Sequence, residues 1–267
     1  RLMNIVFIPN IDCGDKRSTP YHYSVKSYQK WAEQYDDVKV IEWTEPILDV
    51  EQFPIIYQRE WVLDILEHNG VDYDQVAVMD SDTIIHPDTP NFFELTDRKY
   101  TAVVNNGCYD WVVRSINGWG EHLFPDEEKP KVWEYHNAGF IVMNKDHKDF
   151  QDKVKDFYLE NIDKINDIRN NKTYQGLSLP STGQTIMNFL LLKHNVEKKL
   201  LPEAYNFGDL ARKNMLYMPG QNCWWPDELT FLQAGYIYHF AAIPGKDDGV
   251  YRHVSYWMQR TYEELYG

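Results

Sequence analysis

The sequence predicts an α/β fold in which a mostly parallel sheet carries helices on both faces. Two short apolar runs, residues 4–9 and 76–79, are typical of strands that are buried on both faces. Residues 21–35 carry apolar side chains at helical spacing, and a second strand-like run follows at residues 38–43. Strands that alternate with helices in this way form βαβ units, so the sheet is expected to be mainly parallel.

The remaining elements follow in order along the chain. Pro54 suits the first turn of a helix that is expected to run to Leu66, with Gly70 at its exit. Between residues 105 and 131 no period is clear, and four glycine and proline residues predict a long irregular insertion. We find no internal repeat, linker or low-complexity segment, and therefore expect one domain over residues 1–267. The other predicted elements are a short helix at 91–95, strands at 100–104, 137–144 and 236–242, an extended piece at 201–206, and helices at 149–168 and 183–192, the last with Ser181 and Thr182 as caps.

Two carboxylates, Asp80 and Asp82, follow directly after the apolar run at residues 76–79. In open α/β sheets ligands bind at the carboxyl ends of the strands, so these side chains are expected to face a site. Paired carboxylates at such an edge attract a hard divalent cation, Mg²⁺ or Mn²⁺, which keeps open positions for phosphate oxygens. The alternative is a solvated Asp-x-Asp turn without a ligand.

Composition limits the classes of partner. The chain has 267 residues, with 27 Lys and Arg against 41 Asp and Glu and a net charge of −14. This charge argues against nucleic acid or an anionic membrane as the main partner, and an acidic protein must bind a phosphorylated ligand through a metal or a few placed cations.

The three cysteines are widely spaced and predict neither a disulfide framework nor a zinc site, so a cytoplasmic location is expected. No apolar run reaches the about 20 residues that span a bilayer, so neither a membrane span nor a signal peptide is expected.

Some aromatic and basic residues offer further candidates. Trp111, Arg114 and Trp119 in the predicted insertion either face an acceptor or anchor a surface loop. His239 lies within the strand predicted at 236–242, and Gly245 and Lys246 follow in a turn, so an imidazole and an ammonium group could meet at one phosphate. A satisfied core histidine is the plainer interpretation. The chain also has nine Trp and 19 Tyr, whose flat faces suit sugar rings but equally fill cores.

Six short blocks in the same order resemble one family. They are Tyr57-x-Arg59, the apolar run with Asp80-Ser81-Asp82-Thr83, the block from Asn137-Ala138-Gly139 to Asn144, Gly183-Gln184 with Asn188, Leu201-Pro-x-x-Tyr-Asn206, and His239-Phe240. Together they are similar to the glycosyltransferases of the glycogenin and bacterial lipopolysaccharide galactosyltransferase group, family 8. The resemblance covers most of the chain and implies the GT-A fold, a single Rossmann-like domain with a mostly parallel central sheet flanked by helices.

The resemblance also implies roles for individual residues. Asp80, Asp82 and His239 would hold Mn²⁺ or Mg²⁺, with Asp80 also at the nucleotide ribose. Gly245 and Lys246 would approach the phosphates of a nucleotide-sugar donor, and Pro9 and Asn10 would border its base. The donor would be a UDP-sugar, which most members of the family use. The acceptor would be a hydroxyl group of a glycan or another molecule. The remaining donor-binding residues that the resemblance implies are Arg59, Ser81, Asn137, Ala138, Gly139 and Gln184. The resemblance also implies that Gln184 and Asp82 are catalytic.

Two positions depart from the family pattern. Gly183 stands where the family has an acid, which affects the recognition of acceptor or sugar. Ala242 stands where the family has a glycine, and the lysine comes one residue later, so Lys246 is a less secure phosphate ligand.

The reaction itself stays open at this stage. The resemblance suggests retention of configuration, with Gln184 as a stabiliser because an amide is a poor nucleophile. An inverting enzyme would need a carboxylate base at the acceptor hydroxyl, and Asp209 or Asp227 could serve. A phosphatase of the haloacid dehalogenase type would use Asp80 as nucleophile and a later acid pair, Asp247 and Asp248, although its nucleophile normally follows the first strand. A catalytically inactive sugar-binding module is the alternative that is not an enzyme.

Overall fold

The fold is built on a six-stranded sheet that packs against helices. A computed structural model describes residues 2–12, 14, 16–105, 107–179, 183–216 and 228–267. The strands are β1 Met3–Pro9, β2 Val38–Trp43, β3 Tyr73–Met79, β4 Thr83–Ile85, β5 Tyr100–Val104, β6 His136–Asn144, β7 Thr173–Tyr174, β8 Leu177–Ser178, β9 Lys198–Leu201 and β10 Ile237–His239. The α-helices are α1 Tyr21–Ala32, α2 Ile55–Gln58, α3 Val62–His68, α4 Tyr109–Leu123, α5 Lys148–Asn171, α6 Gly183–Lys193 and α7 Val254–Tyr266.

The strand order in the main sheet is β2-β1-β3-β6-β5-β9, so β3 lies in the middle. β1 pairs in parallel with β2 and with β3, and β5 pairs in parallel with β9. β6 runs antiparallel to both of its neighbours, β3 and β5. The mostly parallel sheet predicted from the sequence is therefore confirmed, with one reversed strand in it. Two two-stranded sheets, β4 with β10 and β7 with β8, lie beside it.

The apolar run before the acid pair is buried on both faces of the sheet, as predicted. Val76 and Val78 belong to a core cluster that includes side chains from α3, α4, α5 and α6. Ala77 and Met79 point the other way, into a second cluster with residues of α1. Alternate residues of a strand point to opposite faces, so one short segment connects both cores and fixes where its carboxyl end emerges.

The predicted irregular insertion at residues 105–131 is wrong, because Tyr109–Leu123 forms α4. Its buried side chains, among them Val112, Ile116 and Trp119, recur at helical spacing. The glycines that suggested a loop have a packing role instead. A Cβ on Gly118 would lie 2.0 Å from Leu179 Cδ2, so this glycine lets the chain that follows β8 approach the helix.

Smaller differences concern element boundaries. The helix expected at residues 54–66 is divided into α2, a 3₁₀ turn at Arg59–Trp61, and α3. The late strand ends at His239 rather than at residue 242. The helix α7 was not predicted, although its buried residues Val254, Trp257, Met258 and Thr261 carry the required spacing. Ser181 and Thr182, the predicted caps, lie outside the described residues.

No helix in the described part of the chain combines the length and the apolar character that crossing a bilayer requires.

Candidate metal and donor site

A short antiparallel ladder brings the late histidine to the acid pair. In this ladder His239 of β10 lies opposite Thr83 of β4, the residue that follows Asp82. The Phe240 N–H donates to the Asp82 carbonyl oxygen at 2.9 Å, which closes the end of the ladder. On its other side β10 contacts Phe207, whose carbonyl oxygen accepts from the His239 N–H at 3.0 Å. Residues distant in sequence therefore meet through backbone hydrogen bonds.

Asp80, Asp82 and His239 form one cluster, called the acidic cluster below. One ligand atom of each residue lies within 4.8 Å of those of the other two. His239 Nε2 lies 3.1 Å from Asp82 Oδ1 and 3.6 Å from Asp80 Oδ2. The side chain of His239 is 5% exposed, against 14% for Asp82 and 28% for Asp80. The cluster therefore opens to solvent on the Asp80 side.

Two arginines hold the remaining carboxylate oxygens. Arg59 Nη1 donates to Asp80 Oδ1 at 2.7 Å and to the Ala138 carbonyl oxygen at 2.8 Å. Arg17 Nη2 donates to Asp82 Oδ2 at 3.1 Å and to the Phe240 carbonyl oxygen at 2.9 Å. Each carboxylate thus gives one oxygen to an arginine and turns the other toward His239 Nε2. Charge-assisted hydrogen bonds of this kind fix the side-chain rotamers.

The charges of the cluster shift its protonation equilibria. Burial works against ionisation of Asp82, but the adjacent His239 and Arg17 outweigh it and hold the pKa of this carboxyl well below its usual range. Burial alone would lower the pKa of His239, but the carboxylates of Asp82 and Asp80 outweigh burial and raise this pKa above its ordinary value. The acidic cluster therefore has a strong affinity for positive charge at the point where Nε2 and the two inward oxygens meet.

The donor set fits a divalent cation. Two carboxylate oxygens and one imidazole nitrogen converge, and hard cations of the Mg²⁺ and Mn²⁺ type accept oxygen ligands together with imidazole. The arginines bond the outward oxygens, Asp80 Oδ1 and Asp82 Oδ2, whereas the converging oxygens are Asp80 Oδ2 and Asp82 Oδ1. Asp80, Asp82 and His239 are the residues that would hold the ion.

Gly139 forms the surface against which His239 packs. A Cβ at this position would lie 2.5 Å from His239 Cε1 and 2.9 Å from Nδ1, so only glycine leaves room for the imidazole. The Gly139 carbonyl oxygen accepts from the Asp80 N–H at 3.1 Å. This glycine supports two members of the cluster at once, through its backbone and through its missing side chain.

A cavity of about 500 Å³ opens over the cluster. Of the predicted donor-binding residues, its lining includes Arg59, Asp80, Asn137, Ala138 and Gln184. The predicted residues Ser81, Gly139, Gly245, Lys246, Pro9 and Asn10 are described by the structure but do not line it.

Gly139 packs against His239, and the other five residues lie elsewhere. Lys246 is exposed, and Gly245 packs against Arg17, whose Cβ would lie 3.2 Å from a Cβ on that glycine. Ser81 is half-buried in the turn between the two acids. Pro9 ends β1, and Asn10 lines a separate shallow hollow of about 490 Å³ together with Asp12, Thr19 and Thr44.

Gln184 lies in the first turn of α6, as predicted, and only 6% of it is exposed. Its Oε1 accepts from the Ala138 N–H at 3.1 Å, and its Nε2 donates to the Tyr135 hydroxyl at 3.2 Å. Both ends of the amide are therefore oriented by the protein. Gln184 faces the cavity in one fixed orientation and joins α6 to β6.

The two departures from the family pattern have local explanations. A Cβ on Gly183 would lie 3.0 Å from the Tyr158 hydroxyl and 3.2 Å from Tyr57 Cδ1, so two tyrosines occupy the space that an acidic side chain would need. Ala242 adopts φ 60°, the left-handed region that favours glycine. The backbone thus keeps the glycine conformation although the residue has changed.

A second group of residues lines the same cavity with partly exposed side chains. We call Trp111, Asp209 and Arg212 the rim residues. Arg212 Nη1 donates to Asp209 Oδ1 at 2.9 Å, and a Cβ on Gly107 would overlap the Asp209 carboxylate. Of the other acceptor candidates, Trp119 is fully buried in the core and Arg114 pairs at the surface with Asp110. Asp227 lies outside the described residues.

Sequence reasoning missed Arg17, and it did not assign a role to Asn206. Arg17 follows β1 in a 3₁₀ turn, Lys16–Ser18, within a polar loop that carries no periodic signal. The one available signal was position, since a cation after the first strand is expected at the same sheet edge as the acid pair.

Comparison with known proteins identifies the fold. No protein-family model matches the sequence, and no curated protein matches it. Among solved structures, the chain is similar to a glycosyltransferase involved in glycosylation of the major capsid of PBCV-1, with TM-score 0.53, 11% identity, and coverage of 98% of this chain and 100% of that one. It is similar to the galactosyltransferase LgtC in complex with donor and acceptor sugar analogs, with TM-score 0.51, 14% identity, and coverage of 99% and 97%.

A third similar structure is longer than this chain. The bifunctional glycosyltransferase WbbM in its apo form gives TM-score 0.58 and 15% identity, and the match covers all of this chain but 50% of that one. The three similar proteins are all glycosyltransferases, and at such low identity the likeness concerns the fold alone. The chain has the GT-A glycosyltransferase fold and resembles the group that contains LgtC.

Proposed function

We propose that this protein is a metal-dependent glycosyltransferase that moves a sugar from a nucleotide sugar to a hydroxyl group of a glycan or another acceptor. The observation that carries the proposal is the convergence of Asp80, Asp82 and His239 beside a cavity, at the carboxyl end of the central strand. The GT-A fold supports it independently of these residues.

The chemistry of sugar transfer matches these parts. Breaking a sugar–phosphate bond leaves negative charge on the departing nucleoside diphosphate. A divalent cation at the acidic cluster would neutralise that charge as it develops. Arg59 and Arg17 hold the carboxylates in place, so little reorganisation is needed when the donor binds. Gln184 would stabilise the reacting face, with Arg59, Asn137 and Ala138 beside the donor sugar, and we propose retention of configuration.

The acceptor would enter past the rim residues. Trp111 offers a flat apolar face of the kind that packs on sugar rings, and Asp209 and Arg212 offer hydrogen-bonding groups. Asp209 also remains the described carboxylate that an inverting reaction would use as base.

The phosphatase alternative gains no support from its second acid pair. Asp247 accepts from the His253 N–H at 2.6 Å, and Asp248 accepts from the N–H groups of Val250 and Tyr251 at 2.9 and 2.7 Å. These carboxylates cap a local turn, and they are not part of the cavity lining.

The donor can be identified by a thermal-shift panel of nucleotide sugars with and without Mn²⁺, since a ligand that binds only the native state raises its melting temperature. We expect UDP-sugars to give the largest shift and to need the metal. An equal or larger shift with GDP- or dTDP-sugars would contradict the uridine preference. Shifts of the melting temperature that are the same with and without Mn²⁺ would contradict the metal site.

A pair of measurements on wild type and His239→Ala separates the transferase from the phosphatase. We expect the variant to lose Mn²⁺ affinity in the presence of UDP, and neither protein to release phosphate from a simple phosphomonoester. In a phosphatase Asp80 would be the nucleophile, and His239 would not be needed to bind the metal. Unchanged Mn²⁺ affinity together with phosphomonoester turnover would overturn the proposed function.

A further inference from the structure

We infer that Asn206 is a positioning residue that holds His239 with its proton on Nδ1, so that the Nε2 lone pair is available for the metal ion. The inference rests on the proposed function, because it concerns the same metal site. It assigns a role to a side chain that does not itself contact the ion.

Three hydrogen bonds form a relay from the backbone to the imidazole. The Gly139 N–H donates to Asn137 Oδ1 at 2.7 Å, and Asn206 Nδ2 donates to the same oxygen at 2.8 Å. His239 Nδ1 then lies 2.9 Å from Asn206 Oδ1. Asn206 and His239 are 6% and 4% exposed, so water cannot easily replace either partner.

The direction of the relay follows from the chemistry of its first member. A backbone N–H can only donate, so the Asn137 atom that it meets must be the carbonyl oxygen. The Asn206 atom facing that oxygen must in turn be the amide nitrogen, which leaves the Asn206 oxygen facing His239. An amide oxygen can only accept, and the proton must therefore lie on His239 Nδ1.

The consequence appears at the other ring nitrogen. In a neutral imidazole with its proton on Nδ1, Nε2 carries the lone pair. Nε2 is the nitrogen that lies 3.1 Å from Asp82 Oδ1, within the acidic cluster. Partners of this kind, which orient a ligating histidine through its second nitrogen, typically change metal affinity by about 10- to 100-fold when they are removed.

The relay also connects two parts of the site. Asn137 Oδ1 accepts two of the three bonds of the relay, and Asn137 also lines the cavity. Gly139 supplies the first donor and the flat surface under the imidazole. The residues expected to meet the donor sugar and the residue expected to bind the metal thus share one hydrogen-bond network.

The test is a Mn²⁺ titration by calorimetry on the full chain, with no nucleotide sugar and no transfer reaction. Asn206→Leu removes the acceptor at nearly constant volume and is expected to weaken Mn²⁺ binding by about 10- to 100-fold. Asn206→Asp keeps an acceptor facing Nδ1 but replaces the donor to Asn137 Oδ1 by a second oxygen, so it is expected to bind Mn²⁺ more tightly than Asn206→Leu and less tightly than wild type. Asn144→Leu is the matched control, because Asn144 is also buried but lies at the end of β6 away from Asn137 and Gly139.

A second readout observes the tautomer directly. In protein labelled with ¹⁵N-histidine and loaded with diamagnetic Mg²⁺, long-range ¹H–¹⁵N spectra are expected to show the His239 proton on Nδ1. This measurement needs only wild type, so the inference can be contradicted even if Asn206→Leu fails to fold. A proton on Nε2 would overturn the inference.

The outcomes separate the inference from the proposed function. Failure of wild type to bind any divalent cation would overturn both. Binding by wild type with the same affinity in Asn206→Leu would overturn the inference alone. Equal losses in Asn206→Leu and Asn206→Asp, or an equal loss in Asn144→Leu, would also overturn it, because packing or general stability rather than the acceptor would then be responsible.

Discussion

The acidic cluster and the rim residues line the same cavity but are built in different ways. Asp80 and Asp82 are held by partly buried bonds to Arg59 and Arg17, and His239 by a buried bond to Asn206. Among the rim residues, Arg212 has a side chain that is 57% exposed, and it pairs with Asp209, which lies three positions away in the chain. The difference suggests that the metal position is preformed, whereas the rim can adjust to its ligand and can change without loss of the cluster.

The largest expected effect comes from breaking the surface under His239. Gly139→Ala would place a methyl group 2.5 Å from His239 Cε1, and the imidazole must move. We expect Mn²⁺ affinity to fall by about 100-fold or more, since a displaced ligand loses more than a lost supporting bond. Gly208→Ala is the matched control, because its Cβ would lie 3.7 Å from His239 Cβ, an ordinary contact. Equal effects of the two substitutions on a Mn²⁺ titration would show that the close approach at Gly139 is not what positions His239.

A second prediction contrasts two arginines. Arg59→Ala removes charged hydrogen bonds to Asp80 and to the Ala138 carbonyl oxygen. We expect kcat/KM for the donor to fall by an amount that corresponds to a loss of about 1.5–3 kcal/mol of transition-state stabilisation. Arg114→Ala removes an exposed pair with Asp110, and pairs of this kind on a helix contribute about 0.3–0.5 kcal/mol to stability. Steady-state kinetics and denaturant unfolding of both variants check this. A loss of stability in Arg59→Ala with unchanged kinetics would make Arg59 a purely structural residue.

A third prediction concerns pH and the support beneath the cluster. Burial raises the pKa of Glu60 to about 7, although the neighbouring Arg59 lowers it. A carboxyl group whose pKa is raised by folding costs stability only when it ionises, so the cost is absent below the unfolded value of 4.5 and complete above pH 7. Glu60→Gln should therefore leave the free energy of unfolding unchanged at pH 4 and raise it by roughly 3 kcal/mol at pH 8. Urea unfolding at the two pH values measures this, and an equal change at both would contradict the assignment.

The acidic cluster shows what local sequence can and cannot predict. The position of Asp80 and Asp82 follows from a four-residue apolar run, because burial on both faces requires that pattern. The meeting with His239 depends on the pairing of β4 with β10. A strand was predicted over residues 236–242, but β4 has only three residues and was not recognised, so this pairing could not be predicted. His239 was assigned to the metal through the family resemblance, not through its own pattern.

Other parts of the site depended on tertiary context. Gly118 and Gly120 suggested a loop, yet α4 needs small residues where other side chains pack closely against it. Arg17 lies in a loop whose conformation is set by what it contacts, and local sequence does not encode those contacts. Asn206 lay in a recognised block, but its role depends on the direction of three hydrogen bonds that only coordinates reveal.

A fourth prediction tests the independence of the rim. Trp111→Ala should raise KM for the acceptor by several-fold, in line with the about 0.5–1.5 kcal/mol of a single aromatic contact, and should leave Mn²⁺ affinity unchanged. Trp111 lines the cavity, but no bond connects it to the acidic cluster among the described residues. Kinetics with a varied acceptor and a Mn²⁺ titration measure the two effects separately. A loss of Mn²⁺ affinity would show that rim and cluster are coupled after all.

The smallest expected effect concerns the segment that Arg17 connects to the cluster. Arg17 bonds the carbonyl oxygens of Phe240 and Ile243, and between them Ala242 is held at φ 60°. A left-handed conformation costs a residue with a Cβ about 1–2 kcal/mol, whereas glycine adopts it freely but loses about 0.5–1 kcal/mol more entropy on folding. Ala242→Gly should therefore raise the free energy of unfolding by about 0.5–1 kcal/mol, which denaturant titration can resolve. A decrease would mean that the segment does not need this conformation, and that Arg17, rather than the backbone at residue 242, determines its path.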